Sequence, residues 1–280
     1  MDPQPESSSK VNTHYKDLGG LEMTVTREVL IEEIVSGLGN EDYILAIWLE
    51  GSDGTKSLDE YSDIDLVIYT KDGYIDDAFA RLDDCLSQLG QLDIAFEQLG
   101  RPLNNRYKVY RLQEASENLL VDITIQSESF PVSFLAEDTT VVPVILVDKA
   151  GIVKYQNIDY ESCRSQLQAQ LVHAQGMYSQ RSRAVKYTKR GLFLESLIYY
   201  QKYVLKPLVD VLRIIYTPIQ ADCFLVHASR DFPTEVVLTL ENLYGVKTVQ
   251  DIADRIHLAD ALFRNAEAQA ESLLKGNISF

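Results

Sequence analysis

Residues 26–38 place Val29, Leu30, Ile34, Val35 and Leu38 on one side of a 3.6-residue period, with Thr26 as N-cap and Gly39-Asn40 as stop, which predicts an amphipathic helix. Residues 43–49 read YILAIWL, a short apolar run rich in β-branched and aromatic side chains and closed by Gly51-Ser52. That pattern predicts a central strand covered on both faces. Residues 53–62 are polar, include Gly54 and read as a loop, after which 64–69 alternate into a second strand. The stretch 75–89 returns to helical spacing, with Ala78, Leu82, Cys85, Leu86 and Leu89 facing inward. Two further strands are expected at 107–112 and 119–125, joined by six mostly polar residues as a hairpin. Beyond 157 the helical period dominates over 161–188, 192–215, 233–244 and 249–274, punctuated by Pro218 and Pro233. The expected architecture is therefore an α/β (α+β) domain with a mixed sheet followed by an all-α helical bundle. Its boundaries are a disordered tail at 1–20, a first domain at 21–155 and a helical substrate-binding domain at 156–280.

Composition leaves this picture in place. The 280 residues are 46% hydrophobic and 24% charged, globular averages that exclude collagen-like, coiled-coil and disordered chains. Charge changes it. The formal net charge is −16, and it is lopsided: residues 1–155 carry 12 basic and 29 acidic side chains, while 156–280 carry 14 and 13. A first half at −17 beside a second at +1 supports a boundary near 155. It also argues against nucleic acid or an anionic membrane as partner and favours a cationic one. Cys85, Cys163 and Cys223 are odd in number and widely spaced, which speaks against a disulfide framework or a zinc site and fits a reducing cytoplasm. Residues 1–10 lack the basic flank and apolar core of a signal peptide. The apolar run 141–147 is far shorter than the ~18 residues that span a bilayer.

The chemistry concentrates in the first half. Asp63 and Asp65 flank Ile64 at a strand start, so the period of two sends both carboxylates to one face and Ile64 to the other. Side by side they repel, and a divalent cation is the usual reason to keep such a pair. Asp122 interrupts the apolar run 119–125 and is costly there unless it opens onto the same site. Three carboxylates on neighbouring strands can hold two Mg²⁺ ions roughly 3.5–4 Å apart and clamp an in-line phosphoryl displacement. Gly51 and Ser52, directly after the first strand, let the backbone approach phosphate oxygens and offer a hydroxyl to them.

Gly51-Ser52, a spacer, Tyr61-Ser62-Asp63-Ile64-Asp65-Leu66 and a later strand aspartate resemble the DNA polymerase beta-like nucleotidyltransferase superfamily. The wording YSDIDL and the appended helical half look like its aminoglycoside nucleotidyltransferase branch. The resemblance covers 40–130 well and the helical half loosely. It implies that Asp63 and Asp65 ligate both Mg²⁺ ions, and that Asp122 binds the catalytic one and takes the proton of an acceptor hydroxyl. It makes Gly51-Ser52 the triphosphate-binding turn. Where many members read GSxARG this chain has Gly51-Ser52-Asp53-Gly54-Thr55-Lys56, so Lys56 stands in as the phosphate contact.

In the second half Arg181, Arg183, Lys186, Lys189 and Arg190 form a basic cluster, and Arg183, Lys186 and Arg190 share a helical face able to meet a triphosphate. A solvated face balancing the acidic half is the competing reading. Tyr199, Tyr200 and Tyr203 are core aromatics or a stacking platform, and Glu195 and Asp210 are surface carboxylates or receivers of substrate ammonium groups. The four histidines show no ligand spacing. The sequence thus leads to a Mg-dependent enzyme, its site in a cleft between the halves. It would move a nucleoside monophosphate, AMP from ATP, to a hydroxyl of a small cationic acceptor. A nucleotidyltransferase of toxin-antitoxin type acting on protein or nucleic-acid ends, and a catalytically silent nucleotide-binding module, stand as alternatives.

Overall fold

The computed structural model describes residues 25–276; the tail expected at 1–20 lies outside the described residues. The chain divides into two compact units, 1–156 and 157–280.

In the first unit the six strands β1 (Ile44–Leu49), β2 (Ile64–Thr70), β3 (Leu92–Glu97), β4 (Asn105–Leu112), β5 (Val121–Ser127) and β7 (Val144–Asp148) form one sheet, in the order β3-β4-β5-β2-β1-β7. Only β2 and β5 run parallel; the other neighbours are antiparallel. A separate pair, β6 (Phe134–Leu135) and β8 (Tyr155–Gln156), is parallel. Alternation along the strands sorts the side chains. Ile47, Leu49, Ile64, Leu66, Ile68, Val121, Ile123 and Ile125 face two helices, α1 (Arg27–Leu38) and α3 (Ile75–Leu89), and form the main core with them. Thr26 caps α1 by accepting from the Val29 N–H, but Val29 itself, expected on the buried face, is 39% exposed. On the opposite face Ala46, Trp48, Val67, Tyr69 and Phe134 make a smaller core, and the rest of that face is polar.

Three features depart from the sequence pattern. The strands β3 and β7 were not visible: β3 alternates between half-buried and exposed residues at an edge, and β7 lies inside an apolar run that shows no period. The first residues of the expected loop 53–62 instead belong to a short helix, α2 (Gly51–Thr55), so the turn after β1 is helical from Gly51.

The second unit is all helical: α4 (Tyr160–Tyr178), α5 (Ser182–Thr188), α6 (Phe193–Tyr200), α7 (Lys206–Tyr216), α8 (Ala228–Asp231), α9 (Thr234–Tyr244) and α10 (Val249–Lys275). The single helix expected over 161–188 is two. Ser179 ends the first by turning its hydroxyl back to the Gly176 carbonyl, a side-chain bond that competes with continuing the ladder. Between α6 and α7 residues Gln201–Leu205 form a π turn immediately before Pro207, whose missing N–H and bulky ring break the ordinary i to i−4 register. Tyr178 stacks on Phe263 at 3.7 Å and donates its hydroxyl to Asp260, tying α4 to α10. Arg213 is fully buried and donates to the Phe224 and Val226 carbonyls and to Asp231, so one side chain holds the 217–231 segment. Among the described residues Cys85, Cys163 and Cys223 form no disulfide, and no described helix is long and apolar enough to cross a membrane.

Candidate active site

The site lies on the polar face of the first sheet, at the ends of β1, β2 and β5. The parallel register sets Asp65 directly beside Asp122, so both carboxylates leave the same face. The Glu50 N–H donates to the Asp65 carbonyl at 2.9 Å, which closes β1 onto the start of β2. Gly51 then adopts φ +59°, and a Cβ built on it would meet Asp65 Oδ2 at 2.1 Å. Only glycine fits on both counts: the left-handed backbone disfavours other residues, and the carboxylate occupies the space of the missing side chain. Gly54 is similarly constrained, its Cβ position lying 1.9 Å from the Val142 carbonyl oxygen.

Electrostatics follow from this crowding. Burial first, then the charges of Asp122, Asp63 and Glu50, push the Asp65 carboxyl up to about 6, against a smaller opposing pull from Arg27. Burial also raises Asp122, opposed by the nearby Tyr107 hydroxyl and added to by the charge of Asp63. Glu50 is raised by burial too, although Trp48 Nε1 donates to its Oε1 at 2.7 Å. Asp122 Oδ1, Ser52 Oγ, Gln126 Oε1 and Asn105 Oδ1 are buried without hydrogen-bond partners, and all but Ser52 line the same sheet face. An unmet buried acceptor costs roughly 1–3 kcal/mol, so such a group in a native fold asks for an explanation.

Asp63 is held differently. It precedes β2, and its Oδ1 accepts from the Leu120 N–H at 3.2 Å. Consequently, among the described residues no group of three or more Asp, Glu, His or Cys side chains is gathered around one point in a way that could hold a metal ion. The donor chemistry nonetheless fits a hard divalent cation: carboxylate oxygens only, two of the carboxyls destabilised in their charged form, and one buried oxygen of Asp122 left open.

Sequence reasoning missed Arg27, Glu50 and Tyr107. Arg27, the first residue of α1, donates to the Ser62 and Asp63 carbonyls and pairs with Asp53 of α2, so one guanidinium joins the two segments that carry the site. Its signal was present only as an arginine at a helix start. Glu50 was readable as the residue before Gly51-Ser52, and Tyr107 follows from the register that sets Val109 opposite Asp122.

The other expected residues lie elsewhere. Lys56 is exposed and ends α2 with φ +56°, its backbone N–H bonded to the Asp53 carbonyl. Lys186 and Arg190 belong to the second unit, where they line a cleft of about 400 Å³ with Arg183, Tyr187 and Tyr199. Among the described residues Arg183, Lys186 and Arg190 form no ion pair, although Arg183 sits over the Tyr203 ring and Arg190 over that of Tyr187. Tyr187, Tyr199 and Tyr203 stack in sequence at 5.0 and 5.7 Å, while Tyr200 is fully buried core. Asp210 is buried and paired with Lys206 at 2.8 Å, which removes it as a receiver of ammonium groups; Glu195 is exposed.

No protein-family profile matches the sequence, and no curated protein does. Among solved structures the chain is similar to an aminoglycoside 6-adenyltransferase from Bacillus subtilis, at 15% identity and TM-score 0.37 over 89% of this chain and 92% of that one. It is also similar to spectinomycin adenyltransferase AAD(9) from Enterococcus faecialis with ATP and spectinomycin, at 9% identity and TM-score 0.32 over 88% and 100%. A third is JHP933 from Helicobacter pylori, at 12% identity and TM-score 0.27 over 90% and 97%. At TM-scores this low the functional reading stands on this chain's own side chains.

Proposed function

We propose that the protein is a Mg²⁺-dependent nucleotidyltransferase that moves a nucleoside monophosphate, AMP from ATP, onto a hydroxyl of a small acceptor of the aminoglycoside kind. The observation that carries this reading is the side-by-side placement of Asp65 and Asp122 on parallel strands, with the Gly51 turn laid against Asp65 and Asp63 at the edge. Asp63, Asp65 and Asp122 would hold Mg²⁺, which when bound neutralises the phosphates and the developing charge. Asp122, its carboxyl raised by burial and one oxygen open, has the basicity and the free lone pairs to take the proton of an attacking hydroxyl. The nearby Tyr107 hydroxyl favours the charged form of that carboxyl. Gly51 lets the backbone approach a phosphate, and Ser52 Oγ supplies a hydroxyl without another partner. Lys56, exposed at the end of α2, is free to add a phosphate contact.

The test is pyrophosphate release with each nucleoside triphosphate, with and without Mg²⁺, against a panel of aminoglycosides. Turnover should need Mg²⁺, favour ATP and fall by at least about 100-fold in Asp65→Asn, as removal of one preorganised electrostatic group does. The ungathered arrangement of Asp63 favours one other reading, a silent nucleotide-binding module. Calorimetry showing MgATP binding with no turnover on any acceptor selects it.

A further inference from the structure

Beside the acid pair, on the same sheet face, a cleft of about 280 Å³ runs along the strands, lined by Trp48, Glu50, Gln126, Pro131 and Phe134 among others. We propose that this cleft is the subsite for a single hydroxyl-bearing ring of the acceptor, with Glu50 and Gln126 as its specificity-determining residues. The proposal rests on the transferase reading and adds the place and chemistry of acceptor recognition.

Size comes first. Small-molecule pockets run from about 300 to 1,000 Å³, so this volume takes one ring of a larger molecule and no more. One wall is apolar, made of Pro131 and Phe134, the latter packed edge-on against Trp48 at 5.8 Å. Such a wall suits the C–H face of a saturated ring. The polar groups are set apart from it. Glu50 has one oxygen fixed by the Trp48 indole N–H, which leaves Oε2 to accept from the ligand. Gln126 follows Asp122 by four positions on β5 and so projects from the same face, roughly 13 Å further along the strand. Its Oε1 has no partner, and its carboxamide both accepts and donates, as a hydroxyl does. Glu50 interacts electrostatically with Asp65, so it belongs to both places, and a ring held against it lies next to the carboxylates that would act on its neighbour hydroxyl. Ser133 and Asp138 also line the cleft, and an apolar wall with separated polar groups discriminates against plain hydrocarbon rings as well as against large ligands.

Trp48 is the only tryptophan of the chain, so its fluorescence reports on this cleft. The probe is myo-inositol, with cyclohexanol as a ring of similar size bearing one hydroxyl, titrated into the full-length protein to the solubility limit. Inositol should change the Trp48 emission saturably and cyclohexanol should not. Gln126→Leu, which keeps the volume and the strand, should weaken inositol binding at least about tenfold. Glu50→Gln should weaken it while preserving the indole hydrogen bond. In Gln126→Leu MgATP affinity by calorimetry should stay within about twofold, a readout that general unfolding would move. A silent Trp48, equal response to cyclohexanol, or unaltered inositol binding in Gln126→Leu overturns the proposal. MgATP binding with no inositol response removes the cleft and spares the transferase; inositol binding without MgATP binding supports the cleft and removes the transferase.

Discussion

Asp65 is the residue at which cost and chemistry meet. Its carboxyl reaches about 6 in the fold against 3.8 unperturbed, so the native state holds its proton more tightly than the unfolded chain does. Above pH 6 the charged form therefore weakens the fold, and the penalty disappears as pH falls below both values. Solvent reaches part of the group and screens its charge, so the penalty is about 1 kcal/mol. Without Mg²⁺, Asp65→Asn should raise Tm by about 2–4 °C near pH 7.5, and the gain should vanish by about pH 4. Thermal scans in a chelator check this, and a variant less stable than wild type at neutral pH would show that the carboxylate is held by attractive contacts. Added Mg²⁺ should stabilise the wild type and leave the variant little changed. At the residue scale Asp65 and Asp122 were legible as carboxylates inside apolar strands, and Asp63 as the acid two positions before Asp65. What could not be read was their different handling: the Leu120 N–H that donates to Asp63 Oδ1 comes from the residue just before β5, distant in sequence.

At the scale of elements, α1 does more than cover the sheet. Its Arg27 ties the Ser62-Asp63 backbone to Asp53, and both partners of that ion pair are largely shielded from water. Arg27→Ala should cost about 3 kcal/mol, since it leaves Asp53 without a cation and two carbonyls without a donor. It should also lower kcat more than it raises KM, because Asp63 loses its anchor. Arg27→Lys keeps the charge without the fork and should recover only part of the loss. Urea unfolding alongside steady-state kinetics separates the two effects; full activity in Arg27→Ala would show that α1 is only packing. Helices α1 and α3 and strands β2, β4 and β5 were legible from their period, and β1 from its short unbroken apolar run. Edge strands β3 and β7 were not: β3 alternates only between half-buried and exposed residues, and β7 lies in an apolar run without a period. The breaks near Ser179 and Pro207 were hidden for another reason: apolar spacing continues through them, while hydrogen-bond register does not.

Across the whole molecule the governing quantity is charge. Two units with separate cores carry the net negative charge on one side of the division, −17 against +1 by sequence. A field of that sign draws in polycationic acceptors and repels free triphosphate, so nucleotide binding should depend on Mg²⁺ while acceptor binding should depend on salt. Raising ionic strength from about 50 to about 300 mM should weaken aminoglycoside binding several-fold, because exposed charges are screened within about 8 Å at physiological salt. Isothermal titration at the two concentrations decides it, and salt-independent binding would remove the cationic acceptor without touching the transfer chemistry.

Gly51 is excluded from every other identity twice over, by its backbone angle and by the Asp65 oxygen seated where a side chain would begin. The two constraints have different lifetimes in a lineage. If the gene were duplicated and one copy released from its chemistry, replacing Asp65 would carry no penalty and would even relieve one, so it would drift early. Gly51 would outlast it, because the left-handed turn between β1 and α2 is needed by the fold whether or not a carboxylate lies above it. A decayed descendant should therefore keep the glycine as a fossil of a site whose acid has gone.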